Sequence, residues 1–295
     1  MISGTPFFSI IMPIYNREKF IVESINTVLN QRFSDFELVC VDDGSKDKSV
    51  DVIKTFQEKD TRVKLISQSN SGRCKARNAG IKAAIGKWVC FLDSDDGYLD
   101  NHLQVLYDLI ISNPEVMGFA TEQIVDRFVK KYDFKKLYKN KAILDINDFI
   151  QTNPVSLNQF CYNRETNKHL FFPDIDILCA EDLLFMRMFT IEKKILKVNI
   201  ITNYVNEHSE RSVNQVGPSD FAQWNRYATE YFLSHFDMPV KIKNKIQSCM
   251  LLLISNVLLS SKLKKEGIRM LFKSLKFKDS YSNHLLLKGF VKILL

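Results

Sequence analysis

Over its first hundred residues the chain alternates short apolar runs with stretches of helical period. Phe8–Ile14 (FSIIMPI), Phe36–Val41 (FELVCV), Val63–Ser67 (VKLIS) and Trp88–Leu92 (WVCFL) are rich in β-branched and aromatic residues and read as buried strands. Between them, Ile21, Ile25, Val28 and Leu29 mark one helical stripe, and Val52, Ile53 and Phe56 mark a second. A third helix is predicted from Arg73 to Ile85, where Ala76, Ala79, Gly80, Ala83 and Ala84 form a small-residue face able to lie close on a sheet. Strand and helix in turn, with short connections, imply right-handed parallel crossovers and an α/β layered domain. Pro13 is expected to end its strand's pairing or to lie near a bulge.

From about Asn113 the pattern loosens. Residues 118–172 are rich in Phe, Tyr, Lys and Asn without clean period, as loops and a smaller subdomain would be. A helix is predicted near Glu181 (EDLLFMRMF), and Pro218–Ser219 signals another. In that helix Phe221, Trp224, Ala228, Tyr231 and His235 fall 3, 4, 3 and 4 apart, a stripe that reads as core rather than as a sugar platform. After 240 come two or three basic amphipathic helices. The chain divides into 1–112, 113–217 and 218–295.

Hydrophobic content of 45% with 25% charged residues excludes wholesale disorder. Six scattered cysteines without a CxxC pair exclude zinc fingers and a disulfide-stapled mini-fold, and fit a reducing cytoplasm. The N-terminal run has no basic segment before it and no small-residue cleavage site, so secretion is not expected. No run approaches the ~18 apolar residues of a spanning helix; Ser255 and Asn256 interrupt the longest region, Met250 to Leu259. The net charge of +7 is unevenly placed: residues 240–295 hold 12 Lys and Arg against 2 acids, and the remainder is net −3. A nucleic-acid binder spreads basic charge along a groove-facing surface. A near-neutral body with a basic tail points instead to an anionic surface such as a bilayer.

Candidate chemistry follows the strands. The second ends in Asp42-Asp43-Gly44-Ser45 and the fourth in Asp93-Ser94-Asp95-Asp96-Gly97. In an open parallel sheet the ligand crevice lies beyond the carboxyl ends of the strands. Five carboxylates aimed there repel unless a cation or ligand sits among them. Asp-x-Asp sets two side chains on one side of an extended segment, a hard-oxygen site for Mg²⁺ or Mn²⁺ holding a diphosphate. Solvated turns are the plainer explanation for one such cluster; two clusters, each directly after an apolar strand, favour a site. No GxGxxG follows the first strand, Gly80 to Lys87 has the wrong spacing for a phosphate-binding P-loop, and DSDDG has its glycine fifth rather than sixth, unlike an EF-hand.

SIIMPIYNREKFIVESINTVLNQRFSDFELVCVDDGSKDKS, then NSGRCKARNAGI, then FLDSDD, resemble the signature of family 2 glycosyltransferases with the GT-A fold, of the bacterial surface-polysaccharide type. The resemblance is dense over about residues 7–100 and looser to about 215. It implies a mostly parallel Rossmann-like sheet flanked by helices, with 1–112 binding the nucleotide sugar, 113–217 binding the acceptor and carrying the base, and 218–295 a basic helical extension. It further implies an inverting hexosyl- or N-acetylhexosaminyl-transferase that takes a nucleotide sugar, most often a UDP-sugar, with a divalent metal (Mn²⁺ or Mg²⁺). The acceptor would be a hydroxyl on a growing glycan, cell-surface or lipid-linked.

Residue by residue, Pro13 and Tyr15 are similar to the residues lining base and ribose, and Asp42 to the aspartate on the nucleoside, with Asp43 supporting the loop. Arg77 matches the ARN element near the donor, and equally suits an ion pair to the acidic crevice. Asp93 and Asp95 form the DxD element, Asp95 on the metal and Asp93 nearer sugar or ribose. FPDIDILCAEDLLF resembles the stretch that places Asp182 as base; Cys179-Ala180 stands where glycine is familiar. A carboxylate at a helix N-terminus stays ionised, and it also caps the helix. NEHSERSVN is similar to a loop that closes over the diphosphate, with His208 on metal or pyrophosphate and Arg211 on phosphate.

Two rivals stand beside this reading. DSDD after a strand resembles the motif of aspartate-nucleophile phosphohydrolases, although Gly97 occupies a position where Thr or Val is usual. A non-catalytic glycan-assembly partner is the other, and intact Asp42, Asp95 and Asp182 count against it. The expected location is the cytoplasm, with 240–295 either attached to the inner face of the membrane or packed as a helical bundle on the body.

Overall fold

Apolar runs that alternate with amphipathic helices assemble into a sheet because neither can bury its apolar side alone. The computed structural model describes residues 4–125, 141–150, 152–175, 177 and 179–277. These fall into two compact units. The first holds the described residues up to 144, of 155–175 and of 193–208; the second holds those of 145–154, of 177–192 and from 209 on. The cuts differ from boundaries at 112 and 217, because strands from both sides of 112 share one sheet.

In the first unit β1 (Phe8–Ile14), β2 (Phe36–Asp42), β3 (Val63–Ser67) and β4 (Trp88–Phe91) follow the predicted runs to within a residue. The sheet runs β3-β2-β1-β4 in parallel, with Phe8 opposite Phe36 and Trp88. α1 (Ile21–Leu29), α2 (Ser49–Lys59) and α4 (His102–Ser112) join one core: Ile21, Ile25, Ile53, Leu103 and Leu106 pack with Phe8, Ile10, Met12, Leu38 and Cys40. The other face takes α3 (Arg73–Ala83), whose Ala76 packs on Val39 and Val41. A Cβ at Gly80 would run into the Ile11 side chain. The small-residue face therefore does what its pattern predicts, although α3 ends two residues before Ile85.

Pro13 does not end the strand: it stays in register with Val41 of β2. Pairing with β4 stops at Ile11 opposite Phe91, and the Ile11 carbonyl accepts the Leu92 N–H at 3.0 Å. Residues two apart point their backbone groups to the same side. Pro13 thus turns its missing donor toward an edge where the β4 ladder has already ended.

The described residues of 118–172 divide between the units, with 145–150 and 152–154 in the second and the rest in the first. β6 (Gly118–Val125), β7 (Lys141–Leu144) and β8 (Phe160–Asn163) enter the same sheet, together with β5 (Gly97–Tyr98) and β9 (Ile195–Val205). The order continues β4-β8-β6-β9-β5, with β7 on β9, and this half is mixed: β6 and β9 are parallel and the other pairs antiparallel. The parts of the 118–172 stretch and of the basic tail that fall at 126–140 and 278–295 lie outside the described residues.

The second unit contains α5 (Glu181–Thr190), α6 (Pro218–His235), α7 (Val240–Leu259) and α8 (Lys264–Ser274). The buried face of α6 is Ala222, Asn225, Ala228, Thr229 and Phe232, so the predicted stripe is offset; Trp224 and Tyr231 are half-buried and His235 is exposed. In α7 the MLLLISNVLL run is largely interior: Met250, Leu251, Ile254 and Leu258 cluster with Ala222 and Met270. No helix among the described residues is long and apolar enough to cross a membrane.

Candidate active site

The chain leaves β1 at Tyr15, 41% exposed, and turns at Asn16 in the left-handed region (φ 52°), which asparagine tolerates. The Asn16 N–H donates to Ser45 Oγ at 3.0 Å, and Asn16 Oδ1 accepts the Lys46 N–H at 2.8 Å. The loop after β1 is thereby tied to the loop after β2.

That second loop opens with two buried carboxylates. Asp42 Oδ1 accepts the Ser45 N–H at 3.1 Å, closing a turn over Gly44. Gly44 has φ +77°, and a Cβ there would lie 2.8 Å from the Asn70 nitrogen, so glycine is required. Asp43 is committed to the segment leading into α3. Its Oδ1 accepts Gln68 Nε2 at 2.7 Å and the Ser71 N–H at 2.9 Å; its Oδ2 accepts the Gly72 N–H at 2.9 Å.

Beyond β4, Asp93 Oδ1 receives Arg77 Nη2 at 2.9 Å, and the Arg77 side chain is only 4% exposed. The guanidinium lies 5.4 Å from the Phe172 ring centroid. Asn78, next on α3, holds the Phe172 backbone at both ends, donating to its carbonyl at 2.7 Å and accepting its N–H at 2.8 Å. Asp96 is buried and accepts Asn158 Nδ2 at 2.7 Å and the Asn206 N–H at 3.1 Å. Asn206 Nδ2 in turn donates to the Asp95 carbonyl at 2.7 Å.

Asp95 Oδ2 lies 3.2 Å from His208 Nε2 and 3.5 Å from Arg17 Nε. The His208 ring stacks on Phe20 with centroids 4.2 Å apart. The carboxylates after β2 and β4 are therefore not a mutually repelling group: each meets a protein donor, and those on Arg17 and Arg77 carry opposite charge. Sequence reasoning missed Arg17, Asn158 and Asn206. Arg17 had a signal, as a cation two residues past Tyr15 in a loop following a strand; Asn158 and Asn206 lie far along the chain in stretches with no period.

Asp95 and His208 fit a divalent cation by donor chemistry, one carboxylate oxygen and one imidazole nitrogen. A cation there would replace the hydrogen bond between them. Among the described residues no three His, Cys, Asp or Glu side chains converge on one point.

In the second unit Asp182, the second residue of α5 after Glu181, is half-buried. Its Oδ1 accepts the Leu183 N–H at 2.7 Å, and its Oδ2 accepts Asn153 Nδ2 at 2.9 Å. Ala180 before it adopts φ 70°, ψ 1°, a left-handed conformation that glycine takes without strain. Arg211 is half-buried and begins a short turn, Ser212–Gln215. The predicted residues thus divide: Pro13, Tyr15, Asp42, Arg77, Asp93, Asp95 and His208 belong to the first unit, Asp182 and Arg211 to the second.

The sequence profile of glycosyl transferase family 2 matches residues 9–173. An uncharacterized glycosyltransferase of Haemophilus influenzae is 36% identical over 171 residues, 58% of this chain and 67% of that protein. The UDP-Glc:alpha-D-GlcNAc-diphosphoundecaprenol beta-1,3-glucosyltransferase WfgD of Escherichia coli is 35% identical over 144 residues, 46% of this chain and 56% of that protein. The matched stretches thus span about two thirds or less of these curated relatives. Among solved structures, S. aureus TarS 1–349 in complex with UDP-GlcNAc superposes with a TM-score of 0.69 at 24% identity, covering 94% of this chain and 82% of that one. That likeness carries the fold.

Proposed function

The chain belongs to glycosyl transferase family 2 and has the GT-A fold, and from that premise we propose an inverting transferase that moves a hexosyl or N-acetylhexosaminyl group from a nucleoside-diphosphate sugar, a UDP-sugar, to a hydroxyl of a growing surface glycan. The carrying observation is Asp95, set directly beyond the carboxyl end of β4 with His208 and Arg17 on one carboxylate oxygen. That is where ligands bind in an open α/β sheet. The E. coli relative's name gives UDP-glucose as its donor and a diphosphoundecaprenol-linked sugar as its acceptor, which supports the same classes here.

In this reading Pro13 and Tyr15 line the base and ribose, Asp42 holds the nucleoside through the loop that its own turn shapes, and Asp93 meets ribose or sugar. Asp95 and His208 would hold Mn²⁺ or Mg²⁺, which when bound supplies positive charge beside the diphosphate. Arg77 and Arg211 offer paired N–H donors to phosphate oxygens. Asp182 takes the proton of the acceptor hydroxyl as that oxygen attacks the anomeric carbon from the face opposite the leaving group, which gives inversion. The enzyme works in the cytoplasm, and residues 240–295 hold it on the anionic inner face of the membrane. Exposed Lys262, Lys264, Lys265, Arg269 and Lys273, all within or just before α8, support the attachment.

A thermal-shift series with UDP-, GDP- and dTDP-sugars, with and without Mn²⁺, tests the donor class. A donor that binds the native state raises the melting temperature. No shift with any donor, together with release of inorganic phosphate from simple phosphomonoesters, would establish the phosphohydrolase instead.

A further inference from the structure

Two residues outside the predicted set, Asn153 and Arg187, bear on the start of α5. Arg187 lies one and a half turns beyond Asp182 and is 4% exposed. Its Nε donates to the Phe149 carbonyl at 2.9 Å and its Nη2 to the Ile150 carbonyl at 3.0 Å; Nη1 reaches Thr229 Oγ1 of α6 at 3.4 Å. A buried guanidinium on two carbonyls fixes the backbone that supplies them. Three residues after Ile150 stands Asn153, followed by Pro154. Asn153 Nδ2 donates to Asp182 Oδ2 at 2.9 Å, while Leu183 N–H takes the other oxygen at 2.7 Å. Each carboxylate oxygen of Asp182 thus has a donor, one from its own helix and one from a loop that a buried arginine anchors.

The direction of the Asn153 amide matters. Asn153 Oδ1 is buried without a hydrogen-bond partner. Turned over, the amide would set that oxygen against Asp182 Oδ2, acceptor against acceptor, unless the carboxyl carried a proton. As it stands, the amide donates to a carboxylate oxygen, the pairing that suits the charged form.

We propose that Asn153 is a positioning residue for Asp182: its amide, anchored through Arg187, holds the carboxylate in one orientation and in its proton-accepting form. This rests on Asp182 being the base. The chain supplies no other role for the Asn153 side chain among its described contacts, and the same hydrogen bond does two things at once. It removes the rotation of the carboxylate about its last bond, and it stabilises the charged state over the neutral one.

The test follows the Asp182 carboxyl itself, so it does not depend on knowing the donor. Full-length protein labelled with ¹³C at the aspartate carboxyl carbon is titrated by NMR, with the Asp182 signal assigned as the one missing from Asp182→Asn. In Asn153→Ala the midpoint should rise by about one pH unit, since a donor to the charged form is lost. In the nearly isosteric Asn153→Asp, the two carboxyls should titrate as a coupled pair, with one step well above the wild-type midpoint. Once a donor is identified, Asn153→Ala should lower kcat with its KM for donor unchanged. An unchanged midpoint in Asn153→Ala, or independent titration in Asn153→Asp, overturns the proposal. Full turnover by Asp182→Asn would instead remove Asp182 as base, a different failure that leaves the NMR result standing as a local property of the loop.

Discussion

Ala180 is the residue at which sequence and backbone pull apart most plainly. A left-handed alanine costs ~1–2 kcal/mol, and this one stands immediately before the two carboxylates that open α5. Replacing it with glycine removes that strain while adding ~0.4–1 kcal/mol of unfolded-state entropy cost. Ala180→Gly should therefore stabilise the protein by roughly 0.5 kcal/mol, measured as a higher urea midpoint; a lower midpoint would mean that the alanine methyl makes packing worth more than the strain. The sequence marked this stretch, since Cys179-Ala180 stands where the resemblance would have glycine, but a left-handed φ at Ala180 is a property of the backbone and had to be seen. Arg17 was hidden for a different reason: nothing local ties it to Asp95, 78 residues away, until two parallel strands bring their ends side by side.

The elements most open to sequence reading are β1 to β4, because strands buried on both faces keep apolar side chains on both. β9 went unread. Its centre carries Thr202 and Asn203, both fully buried, and Thr202 Oγ1 donates to Thr121 Oγ1 of β6 at 2.7 Å. Polar side chains that pair with one another across two strands look like loop in a sequence and like core in a structure. The same cluster includes His102, first residue of α4, whose Nδ1 lies 2.6 Å from Thr202 Oγ1 and whose ring stacks on Tyr98 at 3.8 Å. Burial pulls its pKa down to about 3. The native state thus stays neutral where the unfolded chain takes a proton near pH 6.5, and stability falls as pH drops below that value. Glu37 adds to this lower down. Burial alone would raise its pKa, but Lys64, Ser9 and the Ile85 N–H together hold it below 4.5, so its contribution is present above 4.5 and lost as pH falls through the lower native value. Urea unfolding should give lower stability at pH 5 than at pH 7, with a smaller drop in His102→Gln; an equal drop would assign the slope to other groups. Nearby, a Cβ on Gly86 would meet the Phe8 and Ser9 backbone at 2.7 Å. Backbone cannot step aside as a side chain can, so Gly86→Ala should cost ~1–3 kcal/mol in the same assay.

At the scale of the whole molecule, charge distribution was readable and its structural use was not. The +10 tail is apparent from composition, but whether apolar residues between lysines meet lipid or protein depends on packing that no count reveals. Met250, Leu251, Ile254 and Leu258 meet protein, as does Met270. Attachment to a membrane would then be chiefly electrostatic, at ~1 kcal/mol per lysine near an anionic leaflet. The full chain should co-sediment with phosphatidylglycerol-containing vesicles at low salt and be released by high salt; no sedimentation at low salt would leave the tail a helical bundle alone. The site itself was legible as a set of strand-end motifs and illegible as a geometry: nothing in DSDD says that Asp96 and Asp93 are held by Asn158 and Arg77 while Asp95 meets His208. The proposed function rests on Asp95 organising a metal-dependent nucleotide-diphosphate site. Calorimetric titration of UDP, GDP and dTDP into wild type and Asp95→Ala, each with and without Mn²⁺, tests it most directly. The account predicts binding of one nucleotide that needs Mn²⁺ and weakens by about 10-fold or more in Asp95→Ala, with the melting temperature of the unliganded protein little changed. Equal affinity in both proteins, with Mn²⁺ making no difference, would contradict it.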